Sequence, residues 1–456
     1  MTMWQKNPVD LASAAAVKGE TSNPDGRGTK AMRANAPTES PVETELMEEV
    51  VNRENLFKAL NRVKANGGAP GVDGMTVQEL PGFLREHWPR LKEELLKGIY
   101  RPQPVRRVGI PKPDGGTRNL GIPTALDRFI QQAVLQVLQK RWDRTFSDHS
   151  YGFRPGRSAH QAVARAQDYI REGFTWVVDL DLEKFFDRVN HDVLMGRLAR
   201  RIGDKRLLKL IRAFLEAGVM ENGLVGPTDE GTPQGGPLSP ILSNALLDEL
   251  DKELEHRGHR FVRYADDCNV YVHSERAGLR VMASLTAFLT HRLKLTVNEA
   301  KSAVARPSDR KFLGFTIIER KGVVRRTIAP KALLKFKDRV RELTGRNRGI
   351  SMERMVEDLS RYLRGWQGYF GFCETPWELD RLDSWIRHRL RSFQWKQWRH
   401  GPLKFKELIA RGVDPKTAAQ TAGSAHGPWR LSNSPAPRKA MPNVYFKALG
   451  LPSLVR

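Results

Sequence analysis

Two cysteines, Cys268 and Cys373, are all that 456 residues contain. Far apart and unmatched, they exclude a disulfide scaffold and any CxxC-type zinc site. They suit a reducing cytosol, so a cytoplasmic location is the expectation. No stretch approaches the ~18 consecutive apolar residues of a membrane span. The N-terminus lacks a basic region followed by an apolar run, so no secretory leader is expected either. Acidic residues are short as well: 52 Asp and Glu face 76 Lys and Arg, a formal charge of +24. What is present in quantity is core material, with 40% hydrophobic residues. That excludes a disordered tail protein, and the length fits two to three domains at ~100–200 residues each.

The basic excess is uneven. Residues 321–456 hold 28 Lys and Arg against 11 Asp and Glu, a charge of +17, and six of the ten tryptophans. Residues 1–320 carry only +7. A basic segment studded with aromatics favours a polyanion that offers both phosphates and stackable bases. A merely solvated basic surface is the plainer alternative. An anionic membrane is a weaker one, because no long basic amphipathic stretch stands apart from a core-forming pattern.

Along the chain, residues 1–44 are rich in Ala, Pro, Gly, Asn, Ser and Thr with little periodicity, which predicts a mobile extension. Helical spacing begins at Glu45, pauses in the Gly/Pro loop 66–74, and resumes over about 77–97. Residues 103–123 read as a β-hairpin turning at Pro111–Gly116. Helices are expected at about 124–142, 158–171, 190–201, 204–216, 240–256 and 277–293. Ser239 is the expected N-cap of the fifth, with Pro240 at its first position. Thr175–Asp181 reads as a buried strand, and Arg260–Tyr264 and Cys268–Val272 as paired strands around Asp266-Asp267. Short strands near 302–305 and 312–318 follow. Beyond 330 the pattern is mostly helical, with Leu379, Leu382, Ile386, Leu390 and Phe393 on one face of 377–399. The last sixty residues are short, basic and loop-rich.

Two strands present acids at their ends: Val177-Val178-Asp179-Leu180-Asp181 and Phe261-Val262-Arg263-Tyr264-Ala265-Asp266-Asp267. Neighbouring acids on a regular strand point to opposite faces, but a tight turn can bring both near one point. Two carboxylates there and one from an adjacent strand can hold two divalent cations roughly 3.5–4 Å apart. Oxygen ligands favour Mg²⁺, with Mn²⁺ as a substitute. An Asp-Asp pair alone is a common turn, so the flanking strands and the rest of the chain must carry the argument.

They do so as a set. The chain resembles the group II intron-encoded reverse transcriptases with maturase function, from about residue 45 to the end and in the family's order. Tyr264-Ala265-Asp266-Asp267 resembles the catalytic hairpin, and Asp181-Leu182-Glu183-Lys184-Phe185-Phe186-Asp187 the first palm motif. Gln234-Gly235-Gly236-Pro237-Leu238-Ser239-Pro240-Ile241-Leu242-Ser243-Asn244 resembles the palm loop and the helix beneath the nascent pair. Ser150-Tyr151-Gly152-Phe153-Arg154-Pro155-Gly156-Arg157-Ser158 and the hairpin from Ile110 to Pro123 resemble the fingers blocks.

The resemblance implies an α+β right-hand polymerase. Fingers and palm with an antiparallel sheet would span 45–320, a helical thumb and maturase domain 321–400, and a small basic DNA-binding domain 401–456. It implies catalytic Asp181, Asp266 and Asp267, with Leu182 joining them around the metal. Lys112, Arg118, Phe186, Gln234 and Lys301 would meet the nucleotide, Phe186 as a ring that rejects a 2′-OH. Tyr264, Ala265, Gly235 and Gly236 would meet template and primer. Arg387, Arg389, Arg391, Lys396 and Arg399, with Trp385, Trp395 and Trp398, would meet RNA, while Trp366 is expected in the core. Asp179 is not expected to bind metal, and Asp187 is expected to cap the helix that follows it. Phe312-Leu313-Gly314-Phe315 resembles the primer grip, equally readable as a core strand end.

The implied activity is RNA-templated DNA synthesis, with splicing assistance to the intron. The implied partners are the intron RNA, an RNA template, a DNA primer or target and deoxynucleoside triphosphates, with no membrane. From residue 400 onward the only histidines are His400 and His426, so the endonuclease domain of many members is not expected, as in the bacterial class C lineage. Two other readings compete: a domesticated reverse transcriptase in repair or phage defence, and an RNA-binding splicing cofactor that needs no polymerase activity.

Overall fold

The predicted hairpin forms as β1 (Val105–Pro111) and β2 (Thr117–Ile122), paired antiparallel from Arg106 opposite Ile122 to Pro111 opposite Thr117. This is a computed structural model, and it describes residues 45–111, 117–221, 224–226, 231 and 235–455. Lys112, Gln234 and the expected extension 1–44 lie outside the described residues, as does the side chain of Arg118.

The apolar run after Thr175 becomes β3 (Trp176–Leu180), whose Val177, Val178 and Leu180 are buried. Two short strands, β4 (Val219–Glu221) and β5 (Leu224–Gly226), extend the fingers sheet, with β4 parallel to β1. Then β6 (Arg260–Tyr264) and β7 (Asp267–Val272) form the hairpin around the Asp-Asp pair. With β8 (Ala303–Ala305) they make the palm sheet, ordered β6-β7-β3-β8. Its neighbouring strands are antiparallel throughout. A further hairpin, β9 (Phe315–Arg320) and β10 (Val323–Ile328), leads into the thumb. The expectation stopped at 318 and lacked β10, because the run Val323-Val324-Arg325-Arg326 shows no alternation of apolar and polar residues.

The helices fall close to their expected limits, and their caps explain why. Thr124, Ser158, Asn190 and Asp204 each accept a hydrogen bond from a first-turn backbone N–H. Ser158 and Gln161 complete a capping box. Two cap assignments are corrected. Helix Ser239–His256 is capped at Leu238, which is already in the helical region, so Ser239 is the first helical residue and no side chain caps it. Asp187 closes a 3₁₀ turn, Phe185–Asp187, and the helix that follows begins at His191 and is capped by Asn190.

One large apolar core joins residues 46–297, and a second joins 328–454. The second runs through helices Pro330–Leu343, Met352–Phe370 and Pro376–Gln397 and on into the short helices between Gly401 and Ala448. Asp383 fastens the end of the chain, accepting from the Leu454 N–H and the Ser453 hydroxyl. A third cluster, including Tyr151, Tyr169, Val262, Phe312 and Phe315, packs against thumb residues Tyr369 and Phe370. No helix among the described residues is long and apolar enough to cross a membrane.

At the centre of the palm lies an arginine with no exposed surface. Arg263 Nε and Nη2 donate to both oxygens of Asp251, itself fully buried, at 2.7 and 2.5 Å. Nη1 donates to Asn244 Oδ1 and to the Ala265 carbonyl, and Nη2 to Ser150 Oγ. Burial pushes the Asp251 carboxyl up against the pull of Arg263. Removing one partner of such a pair strands the other charge without water. Asp251→Ala is therefore expected to destabilise the chain by about 3–5 kcal/mol, read as a lower urea midpoint. Replacing both residues by apolar ones will not restore it, because Asn244, Ser150 and Ala265 then lose their donor. A midpoint unmoved by Asp251→Ala would show that the pair is not closed in solution.

Candidate active site

Tyr264 pairs with Asp267, so Ala265 and Asp266 alone form the hairpin loop. Ala265 sits at φ +59°, a left-handed conformation that costs a non-glycine residue about a kcal/mol or more. Three neighbours hold it there. Arg263 donates to its carbonyl, and Asn244 donates to the Gly152 carbonyl at 2.9 Å. Gly152 itself packs so closely that a Cβ would stand 2.2 Å from the Ala265 nitrogen. The fingers block thus meets the turn backbone to backbone, which only glycine permits.

β3 pairs with β7 from Trp176 opposite Val272 to Leu180 opposite Cys268. Continued by one residue, that register sets Asp181 opposite Asp267. The backbone of Asp181 is pinned from the other side: its N–H donates to Ser302 Oγ, and its carbonyl accepts from the Asn298 N–H at 2.8 Å. Lys301 Nζ stands 3.6 Å from Asp181 Oδ2. The expected catalytic acids are therefore brought to one end of the palm sheet, with Lys301 beside them. Leu182 bridges to Val297 and is buried.

The electrostatics are those of crowded acids. Burial pushes the Asp267 carboxyl up to about 7, helped by Asp266, Asp179 and Asp181, while Lys311 pulls it down. Asp179 is also raised by burial, against the pull of Arg310, which forms a 2.6 Å ion pair with it. That pairing occupies one oxygen of Asp179. Among the described residues no three His, Cys, Asp or Glu side chains converge on one metal-sized point. The donor chemistry nonetheless fits a hard divalent cation: carboxylate oxygens, partly buried and mutually repelling.

The other predicted residues separate. Phe186 is half-buried with its ring edge against Phe185, which is core. Gly235 has φ +137°, and a Cβ there would lie 2.5 Å from the Gly121 carbonyl of β2. Gly236 is buried against the Gln131 side chain. Their small size thus serves an approach to the fingers. Tyr264 is half-buried, and burial raises its hydroxyl. Phe312 and Phe315 close a tight turn through Leu313 and Gly314, both at positive φ, and the Tyr369 hydroxyl donates to the Leu313 carbonyl.

The RNA face expected on Pro376–Gln397 needs correction. Arg391 is buried, donates to the Met441 carbonyl and is pushed down to about 10 by burial. Trp395 and Trp398 are core residues, as Trp366 was expected to be. Arg389 is half-buried and donates to Thr344 Oγ1. Arg387 is largely covered and lies at the edge of ion-pair distance from Asp383. Lys396 and Arg399 remain exposed, as does Arg381 on the same helix. The helix is wedged between the first two thumb helices and the chain end, and periodicity alone could not reveal the second contact. Arg263, Asp251, Asn244 and Gly152 went unassigned. The one available signal was Arg263 set between Val262 and Tyr264 in the strand.

Residues 110–317 match the reverse transcriptase (RNA-dependent DNA polymerase) family, and residues 333–411 match the group II intron maturase-specific domain. Protein YkfC of Escherichia coli is 40% identical over 46% of this chain and 57% of its own. The group II intron-encoded protein LtrA of Lactococcus lactis is 30% identical over 62% of this chain and 58% of its own. The putative COX1/OXI3 intron 1 protein of Saccharomyces cerevisiae is 33% identical over 48% of this chain and 26% of its own. The chain spans a little over half the length of the first two. With a polymerase palm ahead of a maturase-specific domain, in this order and with these acids at the sheet's end, the chain belongs to the group II intron reverse transcriptase–maturases.

Proposed function

We propose that the chain extends a DNA primer on an RNA template and binds its intron RNA to assist splicing. The observation that carries the polymerase reading is the cluster at the end of β3 and β7, where Asp267 is raised to about 7 by burial and by its acidic neighbours. Such a cluster is relieved by a divalent cation, and reverse transcriptases work with divalent metal ions. We assign Asp181, Asp266 and Asp267 to two Mg²⁺ ions, which when bound would lower the pKa of the primer 3′-hydroxyl and steady the departing pyrophosphate.

The chain's own groups do the rest. Arg263 and Gly152 hold the hairpin turn in its left-handed form, so the two adjacent acids keep one position. Lys301 lies within reach of the phosphates that Asp181 would face, and is placed to steady negative charge there. Phe186 is half-buried and offers a ring edge for a sugar to rest on. The Phe312–Phe315 turn, held by Tyr369, offers an apolar seat for the primer end. The exposed basic residues of the thumb supply salt-sensitive affinity for RNA. The intron RNA, template, primer and deoxynucleotides are thus the proposed partners.

Asp266→Asn is expected to lower cDNA synthesis on poly(rA)/oligo(dT) with Mg²⁺ by about 10³-fold or more, in line with losing charge that acts mainly in the transition state. Intron RNA binding by the same variant should stay near wild type. Undiminished synthesis would sink the assignment of the acids. Gly152→Ala should act on the same assay by displacing the turn, lowering kcat while leaving RNA affinity intact. Equal loss of both would instead mean that the fold has given way.

The salt dependence of RNA binding separates exposed from buried arginine. Arg381→Ala, Lys396→Ala and Arg399→Ala together should flatten the plot of log K against log[salt] by about 2, at ~0.7 for each phosphate no longer neutralised. Arg391→Ala should leave the slope alone and lower the unfolding midpoint. An unchanged slope in the triple variant would move the RNA surface off this helix.

A further inference from the structure

The palm sheet has a second end. Arg260 opens β6 and Val272 closes β7, so this end lies roughly 15 Å from the Asp-Asp turn, at about 3.3 Å per residue. A cleft of about 490 Å³ opens there, within the size range of small-molecule and nucleotide pockets. Its apolar wall is built from Tyr271, Val272, Ala277 and Val281, and no carboxylate lines it.

Two features give the cleft a chemistry. The first is charge. Arg257, Arg260 and Arg280 stand around it. Arg257 is engaged, with Glu253 at 2.6 Å and Ser284 Oγ at 2.7 Å. Arg260 and Arg280 are exposed, and neither has an ion pair among the described residues. Gly258, at φ +70°, turns the chain between Arg257 and Arg260 so that both line the same cavity. The second feature is a ring platform. Phe174 and His273 stack with centroids 4.1 Å apart and an interplanar angle of 24°, and the His273 ring is held by Nδ1 at 3.0 Å from the Gly173 carbonyl.

Free guanidiniums beside a fixed aromatic pair, in a concave acid-free pocket, match one ligand class: a phosphate attached to a flat heterocycle. Arginine grips phosphate oxygens through its planar fork, and any base stacks on a ring without regard to sequence. A purely solvated basic surface would need neither the concavity nor the locked ring pair. We propose that this cleft binds a phosphorylated nucleoside unit of single-stranded RNA, the phosphate lying between Arg260 and Arg280 and the base against the Phe174–His273 pair. The site is separate from both the acid cluster and the thumb helix, and it does not depend on the polymerase reading. A free nucleotide shares this chemistry, so the test must tell the two sources apart.

The test uses the full chain. A 5′-labelled single-stranded RNA carrying 4-thiouridine is crosslinked to it, and the crosslinked peptides are mapped. Equilibrium binding of the same RNA is measured from 50 to 300 mM salt. The expected result is a crosslink at Phe174 or His273. With Arg260→Glu plus Arg280→Glu, affinity should fall at least about 10-fold and the salt slope by about 1.4, the value for two single-strand phosphates. Primer extension on saturating poly(rA)/oligo(dT) should be unchanged. Arg260→Lys plus Arg280→Lys, which keeps the charge, should restore most of the affinity, separating lost charge from lost fold. Millimolar AMP that displaces the crosslink would assign the site to free nucleotides and overturn the RNA strand as its ligand. No displacement supports the strand. Wild-type affinity and slope in the double Glu variant, with no crosslink in this cleft, would overturn the site altogether.

Discussion

The palm is organised around a charge that water never reaches. Arg263 is fully buried, and its donors fix four residues from three separate segments: Asp251 and Asn244 on one helix, Ser150 in the fingers block, and Ala265 in its own hairpin. An arginine in such a place is costly unless each donor is met. The requirement works in reverse as a constraint on geometry. Only one arrangement of helix, loop and hairpin satisfies the guanidinium, and that arrangement sets the height of Asp266 and Asp267 relative to Asp181. The two backbone bonds that Arg263 makes with His149 and Tyr151 tie the fingers block along the same strand. The precision of the acid cluster is in this sense inherited from a residue that touches no substrate.

The same logic explains the placement of small residues. Gly152 lies against Ala265, and Gly235 lies against Gly121, in each case at a distance that excludes a Cβ. Fingers and palm therefore meet through main chain, where no rotamer can shift the contact. The thumb is joined differently. Tyr369 donates to the Leu313 carbonyl, its own carbonyl sits 2.7 Å from His160 Nε2, and Phe370 packs on Gly314 and Phe315. These are side-chain contacts, individually modest and rotatable. One main-chain bond joins the thumb as well, from the Ala329 N–H to the Gly314 carbonyl at 2.9 Å.

Much of this was legible in the sequence, for identifiable reasons. Strand limits in the palm followed from apolar runs, and helix limits from the spacing of apolar residues. The acids were legible because two short motifs place them at the ends of strands that register then aligns. Three things were hidden. Burial on both faces of helix Pro376–Gln397 was invisible, since a helix covered twice has charged residues that still look solvent-bound; Arg391 is the clearest case. Asp187 and Ser239 were misread as caps because the residues before a helix are chosen by loop geometry, which composition does not encode. The Arg263 network joins Asn244 and Asp251 of one helix to Ser150, 113 residues from Arg263 in the chain, and these meet only in three dimensions.

The uneven charge of the chain acquires a different meaning once burial is known. The excess of +17 in residues 321–456 suggested a binding module attached to a nearly neutral polymerase. Part of that excess is structural: Arg391 packs among the last helices, Arg389 reaches Thr344, and Arg326 is bound to Glu374 and Gln167. Conversely, the balanced first part conceals local imbalance, because its acids are spent in pairs such as Asp251 with Arg263 and Asp179 with Arg310. Arg260 and Arg280, with no such pairing among the described residues, are left facing solvent at the far end of the palm. Counterion release depends on which cations are free to meet a phosphate, not on how many the chain holds. Net charge per segment is therefore a poor guide to where nucleic acid binds, and unpaired arginine in a concave setting is a better one.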